Sequence, residues 1–236
     1  LSAFEALLNF DFSMASSLQD YRLFFQQFRR NFETTGAIAP SGRWLAMALS
    51  RYVREGAKSR RILEVGPGTG AVTGQIVASL SPTDQFDLVE LNDAFVARLR
   101  ERFEQEPGFV AVADRARVIH DRLETLPQCP TYDLIISGLP LNNFQAEDVR
   151  QILASFSRLL KPGGTLSFFE YIAVRPAKAL VCGGAERQRL REINQAMREV
   201  LAHEVRRDWI FPNLPPAWVH HVRFAGQVVA QPIAAT

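Results

Sequence analysis

Cysteine is scarce in this chain: Cys129 and Cys182 are the two among 236 residues. They stand far apart with no paired spacing, so neither a disulfide framework nor a zinc site is implied, and a reducing, cytoplasmic setting is the expectation. Histidine is scarce too. Of the four histidines, His220 and His221 are neighbours on an expected strand and point to opposite faces, so they do not form a ligand pair, and no metal is expected. No apolar run approaches the ~20 residues that cross a bilayer, and no basic-then-apolar secretory pattern opens the sequence. Neither sign of charge dominates: 27 Lys+Arg against 25 Asp+Glu give a net charge of +2, so there is no globally basic footprint for nucleic acid. Internal repeats and low-complexity linkers are also missing. What remains, a chain with 47% hydrophobic residues, suits one large core, since α/β units of this length routinely fold without splitting.

The densest signal is Ile62-Leu63-Glu64-Val65-Gly66-Pro67-Gly68-Thr69-Gly70, an apolar strand that runs into a glycine-rich turn and then into a helix opening at Ala71-Val72-Thr73. Glycines at 66, 68 and 70 let the backbone turn sharply and lie close against a ligand, with amide N–H groups and a helix N-terminus facing it. Gly66-x-Gly68-x-x-Ala71 also satisfies the dinucleotide fingerprint, with Glu90 at about the right distance for a ribose, and the glycines alone do not separate the two ligand classes. Glu64 separates them. A buried carboxylate beside a diphosphate sets negative against negative, whereas it suits a ligand carrying an ammonium and a sulfonium. S-adenosylmethionine carries both, so Glu64, Gly66, Pro67, Gly68, Thr69 and Gly70 are expected to hold that cofactor, with S-adenosylhomocysteine as product.

The downstream segments follow in the order such a crevice needs. Gln85 to Leu91 reads as a second strand, with Glu90 placed to accept both ribose hydroxyls and Leu91 beside it. Ala116 to Asp121 reads as a third; Asp121 is placed to take the adenine amino group, with Arg122 and Leu123 along the ring. Tyr132 to Pro140 is a fourth, mostly apolar strand, as a central parallel strand should be. Its end, Ser137-Gly138-Leu139-Pro140, is expected to line the transfer centre through backbone carbonyls, with Ser137 also at the cofactor. Lys161-Pro162-Gly163-Gly164 makes a turn before a fifth strand, Thr165 to Tyr171. A helix from about Ala185 to Glu204 follows. Val205–Phe211 and Trp218–Phe224 then read as an antiparallel hairpin around Pro212-Asn213-Leu214-Pro215-Pro216. The expected fold is α/β and Rossmann-like, a seven-stranded, mostly parallel sheet closed by a C-terminal antiparallel hairpin.

Ahead of that fold, Leu18, Tyr21, Phe25, Phe28 and Phe32 recur at spacings of three and four, with Phe24 beside them and Arg22, Arg29 and Arg30 flanking. This is the basic amphipathic pattern of a helix lying in a membrane interface, and it equally suits a helix packed over the cofactor. Each arginine near an anionic leaflet adds about 1 kcal/mol, so reversible binding is the expectation. Gly36 to Ser41 reads as a hinge beside the sulfonium, with Gly36 and Ile38 as cofactor contacts. The expected organisation is an extension over residues 1–16 with no assigned role, covering and membrane-contacting helices over 17–56, and a catalytic domain over 57–236.

The order of these motifs, with Glu64-Gly-x-Gly-x-Gly, Glu90 and Lys161-Pro-Gly-Gly, resembles the class I methyltransferases. Within them the chain is most similar to the bacterial phospholipid N-methyltransferases, through Thr35-Gly36-Ala37-Ile38-Ala39-Pro40-Ser41, Ser137-Gly138-Leu139-Pro140 and Asn213-Leu214-Pro215-Pro216-Ala217. The resemblance implies methylation of phosphatidylethanolamine and its mono- and dimethyl derivatives toward phosphatidylcholine, by a cytoplasmic enzyme peripheral on the inner membrane. The membrane surface, with anionic lipids, would be met through residues 17–33. Tyr21 and Tyr171 are the candidate aromatic faces for the growing methylated cation, and Arg43, Arg175 and Lys178 the candidates for a lipid phosphate. The rRNA adenine dimethyltransferases are related, but Ser137 and Leu141 stand where their base-clamping motif has Asn and Tyr, and nucleic acid is not expected as a partner. Methylation of rRNA adenine or of a small molecule is the alternative enzyme reading. A cofactor-binding, membrane-associated module without turnover is the alternative outside catalysis.

Overall fold

The computed structural model describes residues 40–55, 59–141, 144–172, 184–211 and 216–224. The expected amphipathic helix over 17–33, and with it Tyr21, Gly36 and Ile38, lies outside the described residues, as do Arg175 and Lys178. Seven strands form one sheet: β1 Arg61–Val65, β2 Gln85–Glu90, β3 Ala116–His120, β4 Tyr132–Ser137, β5 Leu160–Tyr171, β6 Glu204–Ile210 and β7 Ala217–Val222. Their order is β3-β2-β1-β4-β5-β7-β6. The first five pair in parallel, and β7 runs antiparallel to both β5 and β6. The seven-stranded sheet and closing hairpin expected from the sequence are present.

The order in which strands are added switches sides at β1, with β2 and β3 on one side of it and β4 and β5 on the other, and an open α/β sheet leaves a crevice beyond the strand ends at such a switch point. That places the glycine-rich turn and Ser137-Gly138 side by side.

Helices cover both faces. On one face α1 (Pro40–Leu49), α2 (Arg51–Arg54), α3 (Ala71–Val77), α4 (Asp93–Gln105) and α5 (Pro107–Val110) bury Leu49, Val53, Ile76, Leu99 and Phe109 against Ile62, Phe86, Phe169 and Val219. The described part of the amino-terminal segment is thus built into the core. On the other face α6 (Ala146–Leu159) and α7 (Gly184–Leu201) pack Phe156, Leu159, Ile193 and Met197 onto Ile135, Leu166, Phe168 and Val222. The start of α4 is fixed by Asn92, whose side chain accepts the N–H groups of Ala94 and Phe95, the expected device for orphan amides at a helix start.

β4 ends at Ser137 rather than Pro140 and β7 at Val222 rather than Phe224, and two further boundaries differ from the sequence reading. Lys161-Pro-Gly-Gly does not precede β5 but lies within it, looped out so that Tyr132 pairs with Leu160 and Leu134 with Thr165, with Gly163 at φ +78°. Glu204 opens β6 rather than closing the last helix; its carboxylate meets His220 Nδ1 at 2.6 Å.

His220 and His221 do face opposite ways. His220 stacks on Phe168 at 5.1 Å, while His221, on the α1 and α2 face, bridges three strands. His221 Nε2 donates to Asp208 Oδ2 at 3.3 Å, which leaves Nδ1 to accept the Ser167 hydroxyl at 2.8 Å. Arg51 and Arg206 complete the group on Asp208 at 2.7 and 2.9 Å. Burial works against the charge on Asp208, but the two guanidinium groups outweigh it and hold the carboxyl below its ordinary range. Burial also pushes His221 down to about 4, so the imidazole is neutral in the folded protein.

Because the unfolded chain binds a proton to His221 near pH 6.5 and the folded chain only near 4, stability is full above 6.5 and falls as pH drops through that window. Urea unfolding between pH 7.5 and 4 is expected to lose about 3 kcal/mol from this group. In His221→Gln that slope flattens, and an undiminished slope in the variant would show that another group drives it.

Candidate functional site

The crevice floor is made by strands that continue hydrogen bonding past their ends. Gly66 N–H donates to Val89 O at 3.0 Å, and Gly138 N–H donates to Val65 O at 2.9 Å. Glycine is required at these crossings: a Cβ on Gly138 would stand 2.6 Å from the Gly66 carbonyl oxygen, and one on Gly66 would stand 2.4 Å from Leu139 Cδ2. Gly66, Gly68 and Gly70 all adopt left-handed φ, at +67°, +57° and +86°, a region that costs other residues dearly. Gly68 differs from its neighbours in having nothing within 4 Å of its hypothetical Cβ, so the middle of the loop is open. Pro67 is buried, and its carbonyl takes the Gly70 N–H at 2.9 Å, closing the turn with Thr69 exposed at its tip.

Two buried acids stand behind this loop. Glu90, at the end of β2, accepts Gly68 N–H on Oε2 at 3.0 Å and the N–H groups of Leu91 and Asn92 on Oε1, each at 2.9 Å. Burial pushes its carboxyl up from the ordinary value, and the three amide bonds pull against that shift. Of about four lone-pair directions on a carboxylate, one on Oε2 is left for a ligand hydroxyl, where the sequence reading expected two. Glu64 is different. It is wholly buried and neither oxygen has a hydrogen-bond partner. Burial pushes its pKa up to about 8, with Glu90 adding to the rise and Thr73 and Arg102 opposing it. The Thr73 hydroxyl faces the carboxyl but without hydrogen-bond geometry.

Beside the loop a pocket opens between the ends of β1 to β4 and the start of α6. Val65, Gly66, Val89 and Leu139 form its floor, and the expected Leu91, Asp121, Arg122 and Leu123 line one wall. Asp121 turns one oxygen onto the Arg122 N–H at 2.7 Å. The opposite wall was missed from sequence: Phe144, Asp148 and Ile152, with Glu124 near Arg122. Asp148 and Ile152, four apart, share one stripe of α6, the signal that could have found them, while Phe144 stands just before the helix. Burial raises the Asp148 carboxyl above its ordinary value, and the Arg122 charge opposes the rise.

Of the expected transfer-centre residues, Ser137 is buried and its hydroxyl accepts the Leu139 N–H at 3.3 Å. Leu139 and Pro140 are buried as well, and Leu139 is the residue of this stretch that lines the pocket. Tyr171 lies three residues beyond the Ser137–Phe168 register pair, its ring edge-on to Phe169 at 5.1 Å. Burial pushes its phenol up to about 12, so it is neutral.

The family model described as a methyltransferase domain matches residues 63–166, which contain the loop, both acids and the pocket floor. Those residues carry a methyltransferase domain, set on the class I methyltransferase fold. This methyltransferase is 29% identical over 152 residues to the ornithine lipid N-methyltransferase of Singulisphaera acidiphila, covering 64% of this chain and 77% of that protein. Its fold is shared with the 1,6-didemethyltoxoflavin-N1-methyltransferase of Burkholderia thailandensis, at TM-score 0.59 and 14% identity over 92% of this chain and 94% of the other. The O-methyltransferase TomG of Streptomyces achromogenes superposes at TM-score 0.58 and 15% identity, over 91% and 92%.

S-adenosylmethionine is the cofactor of this methyltransferase, and the residues present fit it. Glu64, a carboxyl with no partner, is complementary to the methionine ammonium; the spare lone pair of Glu90 suits a ribose hydroxyl; the apolar pocket edged by Asp121 and Asp148 suits a purine with an exocyclic amine. A carboxyl with pKa near 8 is protonated at neutral pH and must release its proton to pair with an ammonium. Cofactor affinity is therefore expected to rise as pH increases toward 8, with up to one proton released per cofactor bound at pH 7. Calorimetry in buffers of different ionisation enthalpy measures that release directly. Glu64→Gln should abolish it and weaken binding at pH 8.5 by about tenfold or more, the scale of one charged hydrogen bond.

Proposed function

We propose that this methyltransferase N-methylates the amine headgroup of a membrane lipid, with phosphatidylethanolamine and its mono- and dimethyl derivatives as substrates and phosphatidylcholine as the end point. The relative that acts on ornithine lipid, another lipid whose headgroup carries an amine, is the observation that carries this reading. When bound, S-adenosylmethionine supplies a methyl on a sulfonium, and attack by an amine lone pair releases adenosylhomocysteine and one proton from nitrogen. An ethanolamine ammonium has a pKa of about 10, like lysine, so an apolar approach that favours the neutral amine assists the reaction. Buried Leu139 and Pro140 and the neutral Tyr171 ring provide such surroundings at the ends of β4 and β5. Catalysis then rests on alignment of nucleophile and methyl.

The surface supports a lipid substrate. Trp209 and Phe211 are 54% and 66% exposed, stacked on each other at 5.6 Å. They lie at the end of β6, which runs parallel to β5 through two antiparallel pairings, so they share the sheet end that carries the glycine loop. Exposed aromatics of this kind suit a membrane interface. No described helix is long and apolar enough to cross a membrane, and the proposed contact is peripheral, aided by residues 17–33 on an anionic leaflet.

A second reading keeps the chemistry and changes the lipid to ornithine lipid itself, on the strength of the same relative. Labelled S-adenosylmethionine offered with vesicles of phosphatidylethanolamine or ornithine lipid, each with and without anionic lipid, tests both. Mono-, di- and trimethylated ethanolamine lipids, increasing with anionic content, are expected. Label in ornithine lipid alone would transfer the assignment to the second reading. No labelled lipid, with cofactor binding intact, would overturn both.

A further inference from the structure

Arg102 lies in the last turn of α4, more than thirty residues from the glycine loop in sequence, yet its side chain is only 17% exposed and ends on that loop. Four of its five N–H donors are accounted for. Nε and Nη2 grip the two oxygens of Glu106, each at 2.8 Å, and Nη1 donates to Thr69 O at 2.9 Å and Gly70 O at 2.8 Å. The guanidinium also lies over the Phe109 ring, 4.1 Å from its centroid, a cation–π contact. Glu106 and Phe109 thus hold the guanidinium in place, and what remains of it points at two successive carbonyls.

We propose that Arg102 is a positioning residue for the cofactor, holding the glycine loop in its receptive shape and placing a fixed positive charge behind Glu64. Because peptide groups are planar and trans, pulling the carbonyls of Thr69 and Gly70 toward α4 turns the following N–H groups the opposite way. The Gly70 N–H then closes on Pro67 O. Three glycines in left-handed conformations are costly to order, and the Arg102 fork supplies a side-chain restraint at the far end of the loop while Glu90 supplies one at Gly68. The fit at Gly70 is tight: a Cβ there would come within 2.4 Å of Arg102 Nη1. The charged and polar groups facing Glu64 are Thr73 from α3, Glu90 from β2 and Arg102 from α4, and Arg102 is the one positive charge among them. It favours the ionised carboxylate that an ammonium requires.

A residue that merely braced the turn between α4 and α5 would change stability and leave the pH dependence of binding alone. Arg102→Gln and Arg102→Lys separate the two roles, read by calorimetric binding of S-adenosylhomocysteine from pH 6.5 to 9 alongside thermal unfolding. Arg102→Gln is expected to weaken binding by about tenfold or more at pH 7.5, as two hydrogen bonds to the loop are lost, and to move the pH midpoint above that of the native protein. Arg102→Lys keeps the charge and loses the fork, so its midpoint should stay native while its affinity falls by a smaller factor. Should Arg102→Gln fail to fold, Arg102→Lys decides on the same readouts. Native affinity and an unmoved midpoint in every variant that folds would overturn the proposal.

Discussion

Two hydrogen bonds made just beyond the strand ends, Gly66 to Val89 and Gly138 to Val65, set the geometry on which the crevice depends. They tie β2, β1 and β4 together one residue past their regular ladders, and they exist because both donors lack a Cβ. With that floor in place the chain leaving β1 must turn back sharply, and the left-handed φ values at Gly66, Gly68 and Gly70 are how it turns. Leu139, pressed beneath Gly66, fills the space below, so the loop rests on a packed side chain. A methyl group at Gly138 would press on the Gly66 carbonyl and force the ends of β1 and β4 apart, while one at Gly66 would push Leu139 aside and strain a left-handed backbone.

Electrostatics imposes a second condition on the same small volume. Glu64 and Glu90 are both buried, and each raises the cost of ionising the other. Glu90 offsets that cost with three backbone N–H groups; Glu64 has no hydrogen bond and stays protonated at neutral pH. An unpaired buried carboxyl costs stability, and it is also the feature that makes the site selective. A cation draws off its proton and pairs with the carboxylate, whereas a phosphate holds the carboxyl in its neutral form and gains no ion pair, so the buried acid favours an ammonium-bearing ligand over a diphosphate.

Much of this was legible in sequence, for physical reasons that differ along the chain. Central parallel strands are buried on both faces and read as apolar runs, so β1, β2 and β4 stand out; the glycine spacing follows from backbone geometry alone. Leu91, Asp121, Arg122 and Leu123 follow from strand ends lying at one edge of the sheet. What escaped depends on tertiary approach. Arg102 looks like an ordinary surface charge of an amphipathic helix until α4 is laid beside the loop, and Asp148 like a first-turn acid until α6 is laid beside β4. Lys161-Pro-Gly-Gly carries a true turn signal, yet parallel pairing resumes on both sides of it, so the turn becomes a loop-out within β5. The three bonds on Glu90 were hidden because they come from backbone amides, which carry no residue signature.

The acid and base groups at the strand ends limit what the protein can contribute to methyl transfer. Glu64 and Glu90 are buried behind the glycine loop, at the ends of β1 and β2. Ser137 accepts a backbone N–H, and Tyr171 keeps its proton up to about pH 12. Glu170 turns to the opposite face of β5 from Tyr171, 3.8 Å from His220. No described side chain at the ends of β4 and β5 is therefore an ionised base aimed at the crevice. Among the described residues, what the ends of β4 and β5 present is burial, the edge-on pair of Phe169 and Tyr171 and the backbone around Gly138, surroundings whose contribution to methyl transfer is desolvation and alignment rather than proton abstraction.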